Sequence, residues 1–325
     1  MRTAFLKELF ELAKQDERIV LIVGDLGFGV VGPFMEQLPG QFINAGVAEQ
    51  NMTGMAVGMA LSGKIALTYS IANFPTLRCL EQVRNDVCYH NANVKVVSVG
   101  GGFTYGAMGA THHAIEDLAV MRALPGLVVV APGDPVEARA ATRAIVAHSG
   151  PCYLRLGKAG EPVVHTAAID FEIGKAICMR EGTDATLICI GGILQNTVRA
   201  AERLAAEGIE TRVLSMHTLK PLDVEAVLAA ARETEAIFTV EEHSILGGLG
   251  TAVAEVLAEA EGIKAPLKRI GVPPAFSPHI GSQEYMLQCH GLTAEAIAKT
   301  VAATLQSLTS SSFSFKEQKR GSWNT

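Results

Sequence analysis

The sequence predicts an α/β protein made of two parallel-sheet domains in tandem, on three observations. Its 325 residues are about twice the roughly 150 of an ordinary domain. The apolar runs are short, β-branched and apolar throughout rather than alternating, the pattern of strands covered on both faces. Strand-like and helix-like stretches alternate in a rhythm that pauses once, between Gly157 and Thr183, and then restarts.

The opening MRTAFLKELFELAKQ carries Lys and Glu at helical spacing and reads as an amphipathic helix rather than a secretory signal. Strands are expected at Ile19–Val23, Ile65–Tyr69, Val94–Val99, Leu127–Val130 and Cys152–Leu156. Helices are expected at Val47–Leu61, Leu77–Tyr89, Ile115–Arg122 and Pro135–Ala147, giving a first domain over residues 1–165. Residues 166–183, with Gly, Pro and mixed charges, read as a linker. The second domain, 184–306, takes strands at Ala185–Ile190, Thr211–Leu214, Ala236–Val240 and Lys268–Val272, with helices near Gln195–Glu207, Val224–Arg232, Thr251–Ala260 and Ala294–Leu305. From Ser307 the chain is Ser-rich and aperiodic, so residues 307–325 are expected to be a disordered tail.

Composition excludes several functions. A net charge of −6 without a basic stripe offers nothing to neutralise phosphates along a duplex. No apolar run reaches the about 18 residues of a membrane span. The six cysteines form no CxxC pair and no zinc-type spacing, so no metal site or disulfide framework is expected, and reduced cytoplasmic thiols are the default.

Three segments carry chemistry. The loop GDLGFGVVG (Gly24–Gly32) lies between a strand and a helix, where α/β folds put ligands; it is either a Gly-rich turn or a loop turning Asp25 to a substrate. In QFINAGVAEQNMTGMAVGMAL, Glu49 opens a helix of Gly, Ala, Met and Val whose apolarity predicts burial, with Met52, Thr53 and Ala56 on the same face. A buried carboxylate is costly unless it is hydrogen-bonded or used, so Glu49 is either a first-turn cap or a working group. In GGGFTYGAMGATHHAIED, a Gly-rich loop delivers two adjacent histidines to the mouth of the sheet, of which only one can face a ligand while the other packs or caps. Glu116 and Asp117 read as caps of the following helix.

GVAEQNM, YSIANFPTLRCLEQVRND, GATHHAIEDLAVMRALPGLVVVAPGD and EEHSILGGLGTAV together resemble the transketolase family, in order and spacing up to about Leu305. The likeness is to the C-terminal half of a full-length enzyme, its pyrimidine-binding and C-terminal domains, and to the stand-alone C-terminal subunits of split transketolases. It implies thiamine diphosphate, with the Glu matched by Glu49 hydrogen-bonding the aminopyrimidine ring nitrogen and so promoting the imino tautomer. The aromatic that packs on the pyrimidine matches Phe74, the only Phe in that stretch, with Tyr69 as the alternative. The catalytic His is matched by His112 and placed on the donor sugar; His113 resembles the second His of deoxyxylulose-phosphate synthases and split transketolases.

Departures from the family pattern are equally informative. The acid four residues before the catalytic His is Met108 here, the His twelve before it falls at Gly100, and the Ser four after Asp25 falls at Gly29. Only Arg2 and Arg155 remain to match the phosphate-binding arginines, so substrate anchoring is expected to differ. The GDG motif that holds Mg2+ and the diphosphate in the family's other domain does not occur. The resemblance therefore implies a separate N-terminal subunit and an α2β2 heterotetramer. The rival expectations are the β subunit of a 2-oxoacid dehydrogenase and a non-catalytic subunit that keeps the fold.

Overall fold

The computed structural model describes residues 1–27, 29–263 and 265–321, with side chains for all of these except 309 and 311–321. In the first domain, α1 (Arg2–Ala13) leads into β1 (Ile19–Val23), α2 (Gly32–Gln37), β2 (Phe42–Asn44), α3 (Glu49–Leu61) and β3 (Ile65–Ile71). Then come α4 (Leu80–Gln82), running into a π-helical turn at Val83–Cys88, β4 (Val94–Val99), a 3-10 turn at Gly106–Met108, α5 (Asp117–Ala123), β5 (Val128–Val130), α6 (Pro135–Ala147) and β6 (Cys152–Leu156). The central strands β1, β4, β5 and β6 are buried along their length because helices cover both faces: α1 and α6 pack together on one, with Phe5, Leu9 and Ile145 in its core, while α3 and the Val83–Cys88 turn lie on the other.

The second domain contains β7 (Ile177–Arg180), β8 (Ala185–Ile190), α7 (Leu194–Ala206), β9 (Thr211–Ser215), β10 (Thr218–Lys220), α8 (Val224–Glu233), β11 (Ala236–Ser244), α9 (Leu249–Glu259), β12 (Leu267–Val272), α10 (Gln283–Cys289) and α11 (Ala294–Gly321). Its sheet runs β12-β11-β8-β9-β7, parallel except for β7. The first sheet has seven strands in the order β10-β5-β6-β4-β3-β1-β2. Its outermost strand, β10, comes from the second domain and pairs antiparallel with β5. Beside it, Lys220 Nζ donates to the carbonyl oxygens of Arg122 and Leu124.

One buried carboxylate joins the same parts. Glu137 Oε1 accepts from His165 Nε2 at 2.8 Å and from Ser215 Oγ at 2.7 Å, while Oε2 accepts the Gly133 N–H. Burial opposes charge on His165, but its bond to Glu137 raises its pKa overall. Phe171 stacks on the buried His217 ring at 3.9 Å between centroids.

Several expectations need correction. The stretch 166–183 is not all linker: it includes β7, whose short half-buried run hid its pairing with β9. From Ser307 the chain continues as α11 to Gly321, and residues 322–325 lie outside the described residues. No Pro or Gly interrupts this stretch before Gly321, and the hydroxyls of Thr304, Ser307 and Ser310 bond back to carbonyls of the preceding turn. Helix α3 is buried on one face only: Glu49, Met52, Thr53, Ala56 and Val57 face inward, whereas Gln50, Asn51, Gly54 and Leu61 are exposed. Glu116 occupies the N-cap position of α5 without capping it through its side chain, and Asp117 is committed elsewhere.

Candidate active site

In a parallel sheet every strand delivers its following loop to the same edge, and β1, β3 and β4 are neighbours. Their C-terminal ends bring together Gly24–Asp25, Ser70–Phe74 and the loop Gly100–His113. Helix α3 adds Glu49 from its first turn.

Glu49 is 2% exposed. Its Oε1 accepts from Ser70 Oγ at 3.2 Å and its Oε2 accepts from Arg78 Nη1 at 2.8 Å. The backbone of Gly24 borders the carboxylate, and a Cβ there would stand 3.4 Å from Oε1. Beyond it lies Phe74, with the Arg78 guanidinium carbon 4.6 Å over its ring centroid and the His112 ring edge-on at 5.4 Å. His112 Nδ1 and Thr111 Oγ1 are 3.0 Å apart, which orients the imidazole, and Tyr105 stands edge-on to the same ring at 6.4 Å. Asn73 Nδ2 holds this loop through the carbonyls of Thr111 and His113. Arg78 thus links Glu49 to Phe74, and Phe74 in turn meets His112, so the three expected residues lie along one chain of contacts.

The other expected residues stand differently. Successive strand residues point to opposite faces, so with Ser70 turned to Glu49, Tyr69 points into the α1 side and stacks flat on Phe5 at 6.3 Å, where burial raises its hydroxyl pKa. Tyr69 is therefore not an alternative to Phe74 beside Glu49. His113 is buried, its Nε2–H donates to the Gly106 carbonyl at 3.1 Å, and Phe103 lies edge-on against its ring. That commits it to holding the loop, as one of two adjacent histidines must, and corrects the expectation of a substrate contact.

Arg155 is corrected in the same way. It is 4% exposed, with Nε donating to Asp117 Oδ2 at 2.8 Å and Nη2 to the carbonyls of Ala114 and Glu242. A guanidinium so engaged ties β6, the His112 loop and β11 together rather than waiting for a phosphate. Arg2 begins α1; its charge acts on Tyr69, and its Nε is buried without a hydrogen-bond partner. Asp25 is exposed in the left-handed region at φ 54°, and Asn44 fixes it by accepting its N–H and donating to its Oδ1 at 2.9 Å. Met108 sits 59% exposed on the rim of the loop.

In the EEHS segment, Glu241 accepts the N–H groups of Leu249 and Gly250 at the start of α9, and burial lifts its pKa to about 7. Glu242 accepts the Phe103 N–H at 2.7 Å and so grips the His112 loop from the second domain. Burial pushes His243 down to about 4. Sequence reasoning passed over Arg78 and Ser70: Arg78 fell inside the helix expected from Leu77, whereas the observed helix begins at Leu80.

The chain matches the pyrimidine-binding domain of transketolase over residues 1–160 and the transketolase C-terminal domain over residues 174–297. It belongs to the transketolase family. It is 42% identical to one of the subunits of the apulose-4-phosphate transketolase of Phocaeicola vulgatus, over 92% of this chain and 95% of that one. It is 41% identical to the SqwH subunit of the 6-deoxy-6-sulfo-D-fructose transketolase of a Clostridium species, over 92% of each. A solved split-gene transketolase, described as an inactive β4 tetramer, superposes with a TM-score of 0.84 at 39% identity, covering 94% of this chain and 97% of that one. The two relatives just named, each matched over more than nine-tenths of its length, are subunits of their enzymes.

Proposed function

We infer that this chain is the C-terminal subunit of a split transketolase, active only with an N-terminal subunit, and that it transfers a two-carbon ketol unit from a ketose donor to an aldose acceptor. The observation that carries the reading is the convergence of Glu49, Phe74 and His112 at the sheet edge of a chain with this family membership. The residues fit the pyrimidine end of thiamine diphosphate: a buried carboxylate at a helix start, a flat aromatic beside it, and a glycine bordering the space. Among the described residues no three His, Cys, Asp or Glu side chains cluster to hold a metal. Mg2+ and the diphosphate are assigned to the partner, in an α2β2 assembly.

The cofactor, once bound, supplies the carbanion that takes up the two-carbon unit. Glu49 exchanges a proton with the pyrimidine ring nitrogen, and its dry setting strengthens that bond. Phe74 supports the flat face of the ring. His112, steadied by Thr111 through Nδ1, presents Nε2 to the donor hydroxyl and moves its proton. Asp25 and Met108 line the approach, and Arg2 offers a donor to an anionic substrate group. Six free cysteines, four of them buried, suit a reducing cytoplasmic setting. The test is reconstitution with a candidate N-terminal transketolase subunit, assaying ketol transfer against decarboxylation of pyruvate and branched oxoacids. Decarboxylation without ketol transfer would move the chain to the dehydrogenases, and no turnover with any partner would make it non-catalytic.

A further inference from the structure

We propose that Arg78 is a resident stand-in for the cofactor's aminopyrimidine, the group that must leave before the ring can bind. This rests on the thiamine diphosphate reading of the Glu49 site. The Arg78 guanidinium makes two contacts at once: its flat carbon centre lies 4.6 Å over the Phe74 ring centroid and its Nη1 is 2.8 Å from Glu49 Oε2. These are the two contacts the reading assigns to the pyrimidine, a flat face on Phe74 and a ring nitrogen on the Glu49 carboxylate. His112 stands edge-on to Phe74 at 5.4 Å, so the ring's surroundings are already furnished with aromatic edges and the guanidinium holds the face. A pyrimidine laid on that face of Phe74 would meet the guanidinium already there, so the arginine has to move aside for the ring to bind.

The partners in this ion pair differ in freedom. The Arg78 side chain is 46% exposed and that of Glu49 is 1% exposed. Arg78 can therefore swing into solvent, where its charge is hydrated, whereas Glu49 stays behind and must find another hydrogen-bonding partner, because an unpaired buried carboxylate is expensive. The site therefore accepts a flat group that brings its own nitrogen to Glu49 and resists an apolar ring of the same size. Until such a group arrives, the arginine keeps the carboxylate paired, and cofactor affinity is the outcome of this competition. A lysine would not substitute, since an ammonium carries neither the planar fork nor the stacking face.

The experiment is calorimetric titration of thiamine diphosphate, with Mg2+, into the reconstituted two-subunit complex carrying wild-type chain, Arg78→Ala or Arg78→Lys. Arg78→Ala should bind about tenfold tighter than wild type, the scale of one charge-assisted bond partly screened by solvent, with Arg78→Lys in between. Guanidinium chloride at low millimolar concentration should compete with the cofactor in Arg78→Ala and have little effect on wild type, a response that a merely structural arginine would not produce. Equal or weaker cofactor binding by Arg78→Ala overturns the proposal and makes Arg78 idle or a cofactor-holding group. If neither wild type nor the variants bind thiamine diphosphate, the cofactor reading itself falls and this proposal with it.

Discussion

Replacing Arg155 by Met distinguishes a buried tie between segments from a phosphate ligand. The guanidinium donates at 2.8 Å to Asp117, at 2.9 Å to the Ala114 carbonyl and at 3.0 Å to the Glu242 carbonyl. Asp117 is fully buried; without Arg155 it keeps only the Tyr153 hydroxyl at 2.6 Å, and its Oδ1 already lacks a partner. Removing one member of a buried pair costs about 3–5 kcal/mol because the other charge is left uncompensated. With a urea slope of about 2 kcal/mol/M, that lowers the denaturation midpoint by about 2 M. Circular dichroism during urea titration reads this directly. Adding Asp117→Asn to Arg155→Met should recover at least half of the loss, since no lone charge remains. A midpoint shift below about 0.5 M, with a raised KM for phosphorylated donors, would refute this reasoning and return Arg155 to the phosphate.

Glu49→Gln should assemble normally, since its amide can turn its oxygen to Arg78 and its nitrogen to the Ser70 hydroxyl, yet lose about 10²–10⁴-fold in activity. Hydrogen–deuterium exchange at the cofactor's acidic carbon checks it, and an unchanged rate removes Glu49 from the proton relay. His112→Ala should lower turnover while leaving cofactor affinity as it was; lost affinity with retained turnover would reverse its assignment. His217 and His243 are each held down to about 4 by burial. Their contribution is present above the unfolded value of about 6.5 and is lost as pH falls toward 4, because only the unfolded chain takes up those protons. His243→Gln should flatten the fall in urea midpoint over that range, and an unchanged slope would mean that His243 is already protonated in the fold.

Much of the fold was legible because its central strands are rich in valine and isoleucine: Ile19–Val23, an unbroken apolar run, and Val94–Val99, interrupted only by Lys95 and Ser98, match observed strands end to end. The strands that were missed, Phe42–Asn44, Ile177–Arg180 and Thr218–Lys220, are three or four residues long and get their pairing from neighbours rather than from their own patterns. Glu49 could be singled out because a carboxylate is conspicuous in an apolar helix. His113 and Arg155 misled because residue type and spacing place a Cα, whereas the contacts that claim a side chain depend on segments far along the chain, Gly106 in one case and Asp117 with Glu242 in the other. The residue between Phe74 and Glu49 was missed for the same reason: nothing in the order of the sequence says that Arg78 folds back across an aromatic ring onto a carboxylate 29 positions earlier.

The strand that the second domain lends to the first sheet constrains anyone who wishes to cut this protein. Ending the chain at residue 165, where the sequence suggests a boundary, would strip β10 from β5 and leave a three-residue row of Val128–Val130 with open amides and carbonyls. An uncovered valine edge is a template for pairing with another copy, so such a fragment should self-associate. For the same reason the two halves cannot swing apart as rigid bodies while the ladder holds.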